Sequence, residues 1–170
     1  MWIKSFLSLF FARIIVFKNK RWKNNAIKTQ KKIMLKLVSQ AKNTSFGKNH
    51  LFSKIKTYAD FKNSIPIRDY EGLKPYINEM LEGKKNILWP GKPLYFCKTS
   101  GTTSGTKYIP ISSESMPNHI KSARDAILSY ISETKNTSIV KGRMIFLQGS
   151  PVLGKTKDIL TGRLSGIVAH

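Results

Sequence analysis

Acidic side chains are scarce in this 170-residue chain: nine Asp and Glu stand against thirty Lys and Arg, a formal net charge of +21. Cysteine occurs once, at Cys97, which excludes an internal disulfide, and no CxxC or Cys/His spacing offers a zinc site. Histidine is nearly as rare. His50, His119 and His170 lie far apart, with no neighbouring Cys or paired acids, so no metal centre is expected. Long hydrophobic runs are also missing. The longest candidate, Ser5 to Phe17, covers thirteen residues and contains Arg13, whereas a bilayer crossing needs roughly 20 apolar residues. Lys18, Lys20, Arg21 and Lys23 follow it, where a signal peptide would carry a small-residue cleavage site. A cytoplasmic, reducing setting is the simplest expectation.

What is present suits a folded protein: 41% of residues are apolar, and the length allows one domain with a proper core. The charge is uneven. Residues 1–65 hold fifteen basic residues and one acid, Asp60; residues 66–170 hold fifteen and eight. Such an excess suits a polyanion partner. Here, however, the basic residues are scattered singly among apolar ones, as lysine used as surface filler would be. The aromatics sit at core-like spacing and do not interleave with basic residues as a stacking platform, so no specific nucleic-acid partner is expected. Ser5–Phe17 has apolar residues all round a helix, which fits a helix packed on the rest of the fold. Peripheral membrane contact through this N-terminal helix is the alternative.

The chain divides into two textures. Apolar residues at Ala26, Ile33, Met34, Leu37, Val38 and Ala41 form a helical stripe that stops near Asn43–Gly47. Tyr58–Asn63 is a short helix entered from a Thr57 cap. Pro66 breaks the chain, and Asp69–Glu82 is another helix in which Pro75 is tolerable only near a turn or kink. After Gly91–Pro93 strands are expected at Leu94–Cys97, Tyr108–Ile111 and Met144–Gln148, the last as a buried strand. Between them Ser115–Glu133 is an amphipathic helix using Ile120, Ala123, Ile127, Leu128 and Ile131. The fold class is α/β: residues 1–90 mainly helical, then residues 91–170 as strand–loop–strand–helix–strand.

The chemistry concentrates in Lys98–Lys107, KTSGTTSGTK. A phosphate chain needs donors on a backbone that can approach closely. Gly101 and Gly105 remove the Cβ barrier, so successive amides can form an anion nest. Thr99, Ser100, Thr102, Thr103 and Ser104 add hydroxyls, and Lys107 adds a charge on a flexible stem. The flanking strands would hold the loop's ends. An ordinary polar hairpin loop is the competing account, since Ser, Thr and Gly are common turn residues.

Gly149–Thr156, GSPVLGKT, matches the P-loop pattern GxxxxGK[ST]. A true P-loop needs a helix starting at Lys155, yet Gly162 and Gly166 interrupt any helix there, and Pro151 removes an amide. It is therefore read as a decoy. Ser100 or Ser104 with His119 and Asp125 could be drawn as a hydrolase triad, but no GxSxG elbow supports it, and His119 reads as helix surface. Tyr70, Glu71 and Glu79 read as solvated helix positions.

The run Cys97–Pro110, CKTSGTTSGTKYIP, resembles the first ATP-binding motif of adenylate-forming enzymes, and specifically the GH3 family of acyl-acid amido synthetases. Thr44–Gly47, Tyr58–Phe61, Ile65–Glu71, Pro75–Ile77, Leu88–Gly91, Gly149–Ser150 and Gly162–Ile167 follow in the order that family shows. The resemblance covers nearly the whole chain. It implies the N-terminal part of a single adenylate-forming large domain, with residues 98–107 as its phosphate loop. Thr99, Ser100, Gly101, Thr102, Thr103, Ser104, Gly105 and Lys107 become the ATP-binding residues, with ATP and Mg2+ as cofactors. A carboxylic acid would be activated as acyl-AMP and passed to an amine, usually of an amino acid. The family is considerably longer, and its later adenine-binding, ribose-binding and catalytic elements have no counterpart here. The expectation is that these 170 residues alone are inactive.

Overall fold

The computed structural model describes residues 2–99, 105–143 and 145–170. They form two compact units, residues 1–29 with 114–147 and residues 30–113 with 148–170.

In the first unit α1 (Trp2–Asn24) packs along a long helix, Met116–Thr134. Ala12 and Ile131 are fully buried there. Asn19, Trp22 and Lys23 share a groove with Asn118, Ser122 and Ser129, so the two helices run antiparallel. The long helix was expected to bury five residues. Ile127, Leu128 and Ile131 are at least half-buried, whereas Ile120 and Ala123 lie exposed. The expected strand at Met144–Gln148 does not form. Met144 lies outside the described residues, and Ile145 and Leu147 are 89% and 99% exposed. A short apolar run carries no information about pairing, and a different segment takes the place beside the first strand.

In the second unit most of α2 (Ala26–Ala41) leads to α3 (Ser45–Asn49), capped by Thr44, whose hydroxyl accepts from Gly47 N–H and donates to the Ala41 carbonyl. α4 (Tyr58–Ser64) begins with a capping box between Thr57 and Asp60. The Lys56 and Thr57 amides and the Thr57 hydroxyl hold the Asp60 carboxyl below the usual carboxylate range. α5 (Tyr70–Leu81) is capped by Asp69, with Pro75 accommodated inside it. Val38, Ala41, Phe52 and Ile55 form one buried cluster. His50 is a satisfied core histidine. Carbonyls only accept and guanidinium only donates, so its Nδ1–H donates to Phe46 O (2.8 Å) while Nε2 accepts from Arg68 (3.0 Å).

Among the described residues four strands form one sheet: β1 (Tyr95–Lys98), β2 (Tyr108–Ile111), β3 (Gly154–Thr156) and β4 (Ile159–Gly162). The order is β2-β1-β4-β3. β1 is antiparallel to β2 and parallel to β4, with Cys97 opposite Gly162, and β3 is antiparallel to β4. The helix Met116–Thr134 is α6 in chain order, and α7 (Leu164–Ala169) follows β4. The core of this unit joins Ile77, Met80 and Ile87 to Phe96 of β1 and Ile159 of β4. Fully burying one such side chain is worth about 1.5–3 kcal/mol.

Candidate functional site

The glycine- and hydroxyl-rich loop hangs between two paired strands. Lys98 stands opposite Tyr108 in the β1–β2 ladder, and Thr99 N–H donates to Lys107 O at 3.1 Å, so both ends are fixed by backbone bonds. Tyr70, at the start of α5, secures the second end. Its hydroxyl accepts from Tyr108 N–H (2.9 Å), and the Lys107 ammonium lies 5.3 Å from the centre of its ring. Tyr70 is thus not a solvated helix position: it is half-buried and packs against the Phe96 cluster. Its bond to Tyr108 spans 38 residues, so no local pattern announces it. Glu71 and Glu79 do pair on the surface, with Lys74 and Lys84.

Of the residues expected to grip phosphate, Thr99, Gly105 and Lys107 are described, and Ser100, Gly101, Thr102, Thr103 and Ser104 lie outside the described residues. Gly105 has φ +78°, the left-handed region that glycine enters without strain.

Beside Thr99 opens a cavity of about 570 Å³, lined among others by Lys98, Thr99, Thr106, Thr161 and Arg163. Its position follows from the pleat. Residues two apart in a strand share a face. The face that buries Phe96 in the core presents Lys98 at the end of β1, and the face that buries Ile159 presents Thr161 in β4. The cavity therefore lies at the carboxyl ends of two adjacent parallel strands, the place where open α/β sheets take their ligands. Lys98 and Arg163 bring two cations, and none of the lining residues is a carboxylate. Thr161 is 1% exposed and its Oγ1 has no hydrogen-bond partner among the described residues. A buried hydroxyl without a partner costs about 1–3 kcal/mol.

The P-loop-like segment falls on the same cavity by another route. Lys155 begins no helix: Gly154–Thr156 is β3. Gly154 faces the cavity opposite Thr161, and side chains alternate, so Lys155 stands on the other face of the strand. Gly149 and Ser150 also line the cavity, and α7 holds them there. Gly149 N–H donates to Ser165 Oγ at 2.9 Å. Gly166 sits inside α7 without interrupting it, and a Cβ there would lie 2.2 Å from Ser150 O, so the close approach requires glycine. Among the described residues no group of three or more His, Cys, Asp or Glu could hold a metal ion, and no helix is long and apolar enough to cross a membrane.

Similarity to known proteins bears on the family and the fold. The model of the GH3 family N-terminal domain matches residues 18–170. The indole-3-acetic acid-amido synthetase GH3.5 of Arabidopsis thaliana is 26% identical over 85 residues, 49% of this chain and 14% of that protein. The solved structure of AtGH3.15 acyl acid amido synthetase in complex with 2,4-DB matches with a TM-score of 0.79 at 17% identity, over 89% of this chain and 27% of that one. A further GH3.15 acyl acid amido synthetase structure gives 0.80 at 17% identity, over 92% and 28%. At that identity the likeness shows the fold, the mixed α/β N-terminal part of these enzymes, and the chain spans little more than a quarter of their length. With a family model matched over 153 residues, this chain belongs to the GH3 family.

Proposed function

We propose that the cavity at the carboxyl ends of β1 and β4 holds the phosphates of ATP, and that the chain contributes this grip to an acyl-acid amido synthetase. The observation that carries the reading is a cavity lined by Lys98 and Arg163, with no carboxylate, that also carries Thr99, Thr106 and the Thr161 hydroxyl, which has no partner among the described residues. A phosphate oxygen accepts what Thr161 can donate, and the two cations meet its charge. Lys107 and the hydroxyls of Ser100–Ser104 complete the donor set in this reading. ATP supplies the leaving group that lets a carboxylic acid be activated as acyl-AMP before an amine, usually of an amino acid, takes the acyl group. Mg2+ would enter with the nucleotide, carried on its phosphates. The relatives' names support amide synthesis from an acyl acid: one is an indole-3-acetic acid-amido synthetase, the other an acyl acid amido synthetase.

Because the chain spans 27–28% of the matched structures, complete acyl transfer is proposed only for a protein of the relatives' length, and the 170 residues alone are expected to bind nucleotide without turnover. Thermal melting with and without ATP–Mg2+ tests the grip. Ligand binding raises stability by RT ln(1 + [L]/Kd), so wild type should melt higher with nucleotide, and Lys98→Ala/Arg163→Ala should lose that gain. A wild-type protein whose melting is indifferent to millimolar ATP would remove the basis of the proposal.

A further inference from the structure

Helix α1 has two apolar faces, and one of them packs on α6. The face toward α6 carries Ser5, Ser8, Leu9, Ala12 and Val16, all at least half-buried. On the opposite face Ile3, Phe6, Leu7, Phe10, Ile14 and Phe17 recur at i, i+3, i+4, i+7, i+11 and i+14, and at about 100° per residue they fall within an arc of roughly 100°. Of these, only Ile14 is half-buried, and Phe17 is 68% exposed. This explains why the helix reads as apolar all round: α6 covers one stripe and leaves a second open.

The open stripe is bordered by cations. On the same wheel Lys4 and Lys18 flank one edge, Arg13 and Lys20 the other, and Arg21 lies at the stripe's end. α1 holds no acidic residue, and the first acid in the chain is Asp60. An aromatic stripe with lysine and arginine along both edges is the pattern of a helix lying in a membrane interface, with rings among the acyl chains and cations at anionic headgroups. The helix does not meet the requirements for crossing a bilayer.

We infer that α1 is a membrane-surface anchor, which lays Ile3, Phe6, Phe10 and Phe17 into the face of a bilayer containing anionic phospholipid. Both signals act together. The apolar stripe supplies insertion, and each basic residue near an anionic surface strengthens binding roughly fivefold at low salt.

The test is co-sedimentation of the intact chain with vesicles of phosphatidylcholine alone and of phosphatidylcholine with 30% phosphatidylserine. The protein should pellet with the anionic vesicles at least tenfold more strongly and be partly released by 0.5 M NaCl. Phe10→Ser/Phe17→Ser should abolish binding. Lys18→Glu/Lys20→Glu should weaken it more than tenfold on anionic vesicles and little on neutral ones. Circular dichroism melts of both variants, unchanged from wild type, show that the fold survives. Equal binding to both vesicle types, or none, overturns the proposal. So does a wild-type dimer in light scattering that Phe10→Ser/Phe17→Ser dissociates without any vesicle binding, which would make the stripe an interface between copies.

Discussion

Two glycine-rich segments, Thr99–Lys107 and Gly149–Thr156, reach the same cavity with opposite credentials. The second matches a well-known phosphate-binding pattern, yet its lysine stands on the far face of β3 and what it contributes is backbone and small side chains. The first lacks the P-loop spacing, yet it is strung between paired strands and opens beside Lys98 at the end of β1. The difference teaches that what a segment brings to the cavity is set by where a strand ends and which face its last residues share. A string of glycines and a lysine is insufficient when the next element is a strand and no helix presents its amides.

The comparison breaks most severely at its support. Gly166→Ala places a Cβ 2.2 Å from the Ser150 carbonyl oxygen. Pushing Gly149–Ser150 off α7 should cost about 3 kcal/mol, the upper part of the overpacking range, measured by denaturant unfolding. A stable Gly166→Ala protein would show that the second segment is not held by this approach. Next comes the test of the two lysines. Lys98→Ala should weaken ATP about thirtyfold, the loss of one hydrogen bond to a charged group at about 2 kcal/mol, while Lys155→Ala should leave affinity within twofold. Calorimetric titration gives both numbers, and a larger loss at Lys155 would reverse the ranking of the segments.

A smaller effect is expected at Tyr70. Tyr70→Phe leaves Tyr108 N–H without its acceptor and should cost about 1 kcal/mol, with faster amide exchange at Tyr108. Unaltered exchange there would mean that the hydroxyl does not anchor the loop. The smallest lies in the turn that closes the second segment. The Lys92 ammonium, 2.6 Å from the Asp158 carboxylate, holds that carboxyl below the usual range. Because folding lowers this pKa, the pair stabilises above the ordinary carboxylate value of about 4, and the benefit is lost as pH falls through the lowered value. Wild type should therefore melt slightly above Asp158→Asn at neutral pH, and the two should converge in acid. A gap that widened in acid would contradict that sign.

Much of this was legible in the sequence wherever the information was local. Thr57 and Asp69 announce helix starts through the side chains that cap them, and the β1 and β2 strands lie within a residue of the positions their apolar pattern gives. What escaped reading depends on distant partners. β4 is a four-residue strand ending in glycine, with little periodicity, and it earns its place only by pairing with Tyr95–Cys97. Ile145–Leu147 has the stronger strand pattern and lies open. Tyr70, Thr161 and Arg163 joined the site through tertiary contacts alone. The α1 pattern reads as a helix packed on the fold, and α6 does cover one of its two stripes, a division the all-round apolar pattern does not show.

The most direct test of the central claim is Thr161→Val, melted with and without ATP–Mg2+. Valine keeps the shape and the strand preference while removing the orphaned hydroxyl. If that hydroxyl waits for phosphate, the variant should be more stable than wild type without nucleotide, by about 1 kcal/mol, and should gain less from ATP. A variant that is less stable when empty and equally stabilised by ATP would show that Thr161 serves the fold alone, and the phosphate site would have to lie elsewhere.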